Sequence, residues 1–306
     1  MRIAFASFTI AVAMSVSIPC MASYSGFVFD MNTQTYTSIN VPGAVDTSVN
    51  ALNNNGQFVG SYDYGDGIHT YGFLYSAGVF TPINFPGAYY TDATGINGSG
   101  DIVGSYQGGN ALGASGFLYS GGVFNPIVVP GAAQTFGSGI NNGGDVVGFY
   151  EHDNTLSGFL DKAGVFTPVN FPGAAETLAY GINDHDQIVG WYFSNNGFHG
   201  FVDTNGVFAS IDYPGASETV VNGIDSLGDL VGIYYHGTNM QGFVYRDGVF
   251  TKIDFPGDSY TSPYGINDDG LIVGAYAVPE PSALTMTMFG CLAIYSRLRN
   301  LRRDSE

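Results

Sequence analysis

The sequence predicts an all-β fold, a ring of six four-stranded antiparallel blades, and three observations carry that prediction. First, one phrase recurs six times. It runs Gly-Phe, then Gly-Val-Phe, Phe-Pro-Gly-Ala, Gly-Ile-Asn and Ile-Val-Gly-x-Tyr, with variations. Its Gly-Phe pairs begin at Gly26, Gly72, Gly116, Gly158, Gly200 and Gly242, spaced 46, 44, 42, 42 and 42 residues apart. A period in this range marks units that cannot bury their apolar faces alone. Second, each unit holds four runs of strand length, separated by Gly, Asn and Pro punctuation. Third, no stretch between residues 24 and 277 has helical periodicity. A β-solenoid is the alternative architecture, but its coils lack two tight hairpins per unit.

The second unit shows the elements in order. Residues 93–97 form strand A and end in the tight turn Gly98-Ser99-Gly100. Strand B, 101–106, alternates and is rich in β-formers. A loop, 107–114, leads to strand C at 116–119, the turn Ser120-Gly121-Gly122, and strand D at 123–128. Pro130-Gly131 then breaks the pattern. The chain starts with C and D and ends with A and B. Residues 26–40 should therefore pair with 263–276 in one composite blade, which closes the ring and removes a free edge.

The two ends read differently. Residues 1–22 have the form of a secretory signal: Arg2, a mostly apolar stretch over 3–18, and Cys20-Met21-Ala22 before the expected cut after Ala22. Pro19 argues against lipid attachment at Cys20. At the other end, Pro279-Glu280-Pro281 is followed by an apolar run (helix expected over about 283–298) and a basic end with four arginines. This 28-residue segment resembles the PEP-CTERM sorting signals of Gram-negative bacteria. The resemblance implies a transient stay in the inner membrane, cutting near Pro279–Pro281 by an exosortase-type enzyme, and delivery to the cell surface or an exopolysaccharide (biofilm) matrix. A plain membrane anchor is the alternative. The domain spans 24–277, and it too has a resemblance. Its Gly-Ile-Asn, Val-Gly and aromatic steps resemble the HAF-type extracellular repeats of bacteria, with Gly-Phe in place of His-Ala-Phe. That resemblance implies the propeller fold and nothing about activity.

Charge and cysteine narrow the function classes. The domain carries 23 acidic residues against Lys162, Arg246 and Lys252. Such a surface argues against nucleic acid and anionic lipid as partners. Cys20 and Cys291 both lie in the end segments, so the domain is held by its core alone.

Positions that recur are read as scaffold. Thr47, Thr91, Thr135, Thr177, Thr219 and Thr261 each lie five residues after the Pro of their unit, where a hydroxyl can satisfy backbone groups between blades. Positions that vary are the functional candidates. One set circles the axis two residues before the Ile-Asn step: Asn50, Thr94, Ser138, Tyr180, Asn222 and Tyr264. Tyr and Asn at a concave mouth suit sugar or peptide recognition. The other set falls on loops between strands B and C: His69, His152, His199 and His236, with Trp191 at the end of one strand B. Blade spacing disfavours a shared metal site for these histidines. The turns Asn183-Asp184-His185-Asp186 and Asn267-Asp268-Asp269-Gly270 resemble calcium loops only superficially, lacking the twelve-residue spacing and terminal Glu. No cofactor is implied and no catalytic residue can be assigned, since nucleophile elbow, phosphate loop and zinc-helix motifs are missing from the sequence. The expectation is a non-enzymatic surface or matrix protein whose propeller binds polysaccharide or a surface protein. A carbohydrate-active hydrolase or lyase at the channel mouth and a pure spacer are the alternatives.

Overall fold

The computed structural model describes residues 23–108, 113–194, 197–256 and 260–278. The expected leader (1–22), the Pro-Glu-Pro step and the expected apolar helix lie outside the described residues. Among the described residues, no helix is long and apolar enough to cross a membrane.

Among the described residues, twenty-four strands form six four-stranded antiparallel sheets. The first blade holds β3 (Asp46–Leu52), β4 (Phe58–Asp63), β5 (Tyr71–Ser76) and β6 (Val79–Ile83). The second holds β7 (Ala88–Ile96), β8 (Ile102–Gly108), β9 (Ser115–Ser120) and β10 (Val123–Ile127). The third runs from β11 (Gln134–Ile140) and β12 (Val146–His152) to β13 (Thr155–Lys162) and β14 (Val165–Val169). The fourth comprises β15 (Glu176–Ile182), β16 (Gln187–Ser194), β17 (Gly197–Thr204) and β18 (Val207–Ile211). The fifth comprises β19 (Glu218–Ile224), β20 (Leu230–His236), β21 (Asn239–Arg246) and β22 (Val249–Ile253). Innermost strands contact their neighbours all around the ring, from β3 and β7 to β23 and back to β3. This is the six-bladed propeller, not a solenoid.

The sixth blade is composite, as the order of elements in the sequence requires. β23 (Thr261–Ile266) and β24 (Leu271–Val278) join β1 (Ser23–Asp30) and β2 (Thr35–Ile39) in the order β2-β1-β24-β23. Phe27 pairs with Gly274, and Ser23 with Val278.

Three recurring devices explain the repeated phrase. Phe27, Phe73, Phe117, Phe159, Phe201 and Phe243 on the third strands are at most 1% exposed and fill the space between blades. The Gly of Val-Gly-x-Tyr lets the first and second strands approach closely. At Gly148 a Cβ would collide with the Phe136 carbonyl and sit 2.9 Å from the Phe159 ring. The recurring Thr receives the backbone N–H of the residue before Pro. Val41, Phe85, Val129, Phe171, Tyr213 and Phe255 donate to Thr47, Thr91, Thr135, Thr177, Thr219 and Thr261 at 2.8–3.2 Å. The scaffold reading of these threonines is thus observed.

The strand boundaries differ from expectation in two ways that matter for the site. β7 starts at Ala88, not at residue 93, so Tyr90 and Asp92 lie on the inner strand and not in a connection. Strands B and C are also longer than expected, since β12 and β13 flank a two-residue turn at Asp153-Asn154. Both turn residues have positive φ (51° and 60°), which Asp and Asn tolerate. His152 and His236 therefore end second strands, His199 lies within β17, and Trp191 sits in the middle of β16. Among the four histidines, His69 alone lies outside a strand.

Candidate functional site at the channel mouth

Every first strand carries a β-bulge, and the same six residues fall in the bulges. Register shifts occur at Val49/Ala51, Ala93/Gly95, Gly137/Gly139, Ala179/Gly181, Val221/Gly223 and Pro263/Gly265. The residues left between them are Asn50, Thr94, Ser138, Tyr180, Asn222 and Tyr264. A bulge adds a residue without a ladder partner and re-aims its side chain. All six line one cavity of about 220 Å³ at the end of the channel that carries the B–C loops.

Some of these side chains also tie neighbouring blades. Asn50 Nδ2 donates to the Ala93 carbonyl at 3.0 Å and to Asp92 Oδ1 at 2.7 Å. Thr94 Oγ1 donates to the Gly137 carbonyl at 2.9 Å, and Asn222 Nδ2 to the Pro263 carbonyl at 2.7 Å. Each acceptor is the residue just before the bulge residue of the next blade.

A second tier of residues completes the lining. It is built by cross-strand pairs between the residue after the recurring Thr and the x of Val-Gly-x-Tyr. In the first, second and sixth blades these pairs are Ser48–Ser61, Asp92–Ser105 and Ser262–Ala275. In the third, fourth and fifth they are Phe136–Phe149, Leu178–Trp191 and Val220–Ile233. Leu178 and Ala275 lie behind the lining, and the other ten residues face the cavity. This second tier of the cavity is thus polar on one half and apolar on the other.

On the polar half, Asp92 is partly buried and its exposed part faces the cavity. Burial pushes its carboxyl up to about 6, against hydrogen bonds from Ser61, Tyr90 and Asn50 that favour the ionised form. Burial and the Asp92 charge also raise the Tyr90 hydroxyl. The Ser262 hydroxyl is fully buried and has no hydrogen-bond partner. On the apolar half, Trp191 packs edge-on to Phe198 with centroids 4.7 Å apart, and Phe136 stacks on Phe149 at 4.6 Å. Trp191 Nε1 donates to the Tyr180 hydroxyl at 2.9 Å, so its one polar atom is satisfied. Burial raises the Tyr180 hydroxyl to about 12 and also raises the carboxyl of Glu218 at the cavity rim.

The histidines are not brought together, and none lines the cavity. His69 Nδ1 meets Asp66 at 2.6 Å and His199 Nδ1 meets Asp212 at 2.9 Å. His152 lies 3.4 Å from Asp153, and His236 packs edge-on to Tyr234. Among the described residues, no group of three or more His, Cys, Asp or Glu is arranged to hold a metal ion. Three acids of the calcium-like turns are engaged by neighbouring blades. Asp184 accepts from the N and Nδ2 of Asn142, Asp268 from Ser226 N and Asn54 Nδ2, and Asp186 from Lys162 Nζ.

At the far end of the channel the Asn of Gly-Ile-Asn does two jobs. Its Oδ1 caps its own turn, as where Asn97 receives Ser99 N and Asp101 N. Its Nδ2 reaches the carbonyl of the corresponding residue in the next blade. Asn53, Asn97, Asn141 and Asn267 make that bond at 2.9–3.4 Å, each to the next in the ring.

Sequence reasoning found the bulge tier and missed Asp92, Tyr90, Glu218, Ser262 and the Phe136–Phe149 pair. A signal was present. Residues two apart on a strand share a face, so the residue after each recurring Thr had to point the same way as the bulge residue.

No protein-family model matches the chain, and comparison with curated proteins yields no match. Among solved structures, a putative TolB from Agrobacterium tumefaciens is similar at 12% identity and TM-score 0.63, covering 85% of this chain and 100% of that one. TolB from Acinetobacter baumannii is similar at 7% identity and TM-score 0.57, covering 84% and 64%. A virginiamycin B lyase from Staphylococcus aureus aligns at 13% identity with TM-score 0.45, covering 82% and 87%. At these identities the likeness is one of fold, and the fold is the β-propeller.

Proposed function

We propose that this chain is an exported, non-enzymatic recognition protein whose channel mouth binds one residue or chain end of an extracellular polysaccharide. The observation that carries the reading is the two-sided cavity, with hydroxyls, an amide and a carboxylate facing a wall of Trp191, Phe198, Phe136 and Phe149. Sugars present that same division, with an apolar ring face and polar rim groups. At about 220 Å³ the cavity is smaller than the roughly 300–1,000 Å³ of sites for drug-sized ligands. One ring or a chain terminus fits that size better than an extended polymer. The end segments support a route through the inner membrane, cutting near Pro279–Pro281 by an exosortase-type enzyme, and residence at the cell surface or in a biofilm matrix. The purified protein should be retained by matrix polysaccharide in pull-down and give hits on a glycan array. Absence of retention by every matrix component would overturn the reading.

One observation favours a second reading. Asp92 and Glu218 line one cavity with several tyrosines, as a hydrolase or lyase would need. That reading requires polysaccharide cleavage that is lost in Tyr180→Phe and Tyr264→Phe. Intact polymer after long incubation removes it.

A further inference from the structure

Lys, Arg and His are missing from the cavity lining, although Asp92 and Glu218 both contribute to it. The domain has only three Lys and Arg residues, and each is engaged elsewhere: Lys162 with Asp145 and Asp186, Arg246 with Asp229, and Lys252 with Asp254. Asp92 accepts hydrogen bonds from neutral groups only, Asn50 at 2.7 Å and Tyr90 at 3.3 Å. Those groups hold its orientation without neutralising it. The Ser262 hydroxyl, buried on the same half with no partner, adds an unfilled hydrogen-bonding position. Across the cavity stand Phe136 and Phe198, partly buried rings packed against the buried Trp191, whose faces attract a cation or stack on a sugar ring.

We propose that the channel mouth selects a protonated primary amine carried on a compact ring, the ammonium seated at Asp92 and the ring face against the wall of Phe136 and Phe198. Within the polysaccharide reading on which it rests, this makes the ligand a de-N-acetylated amino sugar. The chemistry follows from the lining. An anionic sugar would meet uncompensated carboxylates. A neutral sugar could donate a hydroxyl to Asp92 but would leave its charge uncompensated. An ammonium supplies three donors and the opposite charge together. The same chemistry occurs in non-sugar aromatic amines, so the two sources need separate arms in a test.

Trp191 is the only tryptophan in the chain and lines the cavity, so intrinsic fluorescence reads this site without a label. The full-length protein is titrated with glucosamine oligomers, their N-acetylated counterparts, neutral cello-oligosaccharides and phenethylamine. The expected result is saturable change with glucosamine oligomers and affinity at least about tenfold lower for the N-acetylated and neutral series, one desolvated ion pair's worth of discrimination. Asp92→Asn and Asp92→Ser should each abolish that preference while leaving the thermal melt cooperative. Serine already stands at the equivalent position in two blades (Ser48 and Ser262), so the second substitution suits the scaffold. Equal affinity for charged and neutral sugars, or an unchanged preference in both variants, overturns the amine assignment but leaves polysaccharide binding standing. Binding of phenethylamine with none of the sugars keeps the amine site and overturns its assignment to a sugar. No response to any probe overturns both.

Discussion

Asn183 Nδ2 donates to the main-chain carbonyl of Asp225 at 2.9 Å, and Asp225 cannot pass the interaction on to Asn267. The sixfold ring of amide bonds at the far end of the channel therefore has one break. Asp225 Oδ1 still caps its own turn, receiving Leu227 N at 3.0 Å and Asp229 N at 2.8 Å. Its Oδ2 occupies the place of an amide nitrogen and is buried without a partner.

Asp225→Asn should therefore stabilise the protein. The amide restores the missing donor and removes a buried charge that faces Asp229 and Asp268. A gain of about 1 kcal/mol is the scale of one such hydrogen bond, or roughly 2–4 °C in melting temperature for a domain of this size. Thermal melts of the two proteins check it. An equal or lower melting temperature for the variant would mean that Oδ2 is not penalised where it sits.

Stability should fall as pH rises from about 4 to about 6. Burial raises both Asp225 and Asp92 to about 6, against an unfolded value of about 3.9. The folded state then holds more protons than the unfolded chain across that window, so the contribution is full below about pH 4 and lost above about 6. Melting temperatures measured across that range should decline in the native protein. They should decline less in Asp225→Asn and least in Asp225→Asn combined with Asp92→Asn.

Thr135→Val tests the inter-blade fix. The hydroxyl receives Val129 N at 3.1 Å and is 1% exposed. Valine keeps the shape and strands that buried donor, which should cost about 1–3 kcal/mol in a denaturant titration.

Gly148→Ala tests the close approach of the first and second strands. The added methyl would strike the Phe136 carbonyl and the Phe159 ring, of which the first belongs to the channel lining strand. Overpacking of this kind costs about 1–3 kcal/mol or more. Chemical denaturation should show the loss, along with a shifted Trp191 emission because Phe136–Phe149 belongs to the same apolar wall.

Replacing His69, His152, His199 and His236 together by Ala should leave any response of Trp191 to sugar or amine unchanged. None of the four lines the cavity, and each has its partners on the blade surface or rim. A lost response would relocate the site to the loops.

What was legible in the sequence follows from which residues repeat. The ring, the composite blade and the threonine bonds are legible because identical scaffold demands identical side chains, and the six bulge residues because they are the position within that repeat that varies. Asp92 was hidden for a physical reason. The Tyr-Tyr-Thr-Asp run before it reads as a connection, yet it extends β7 by pairing Tyr90 with Gln107 and Asp92 with Ser105. The histidines were misplaced by the same cause, since residue pairs such as Asp153-Asn154 can close a turn that composition presents as a longer loop. The division of the cavity into polar and apolar halves depends on which blades sit side by side, which no single unit reveals.

The composite blade has a consequence for how the molecule is presented. β24 runs toward the channel mouth, and Ser23 pairs with Val278 at that end. Both strands of the domain's terminal pair therefore leave from the mouth side of the rim. A tether fastened beyond Val278 would hold the protein face-down, with the cavity turned toward whatever surface holds it. Under the proposed sorting route, severing that tether would set the opening free to meet the surroundings, so the proposed cut near Pro279–Pro281 would also be the event that uncovers the mouth.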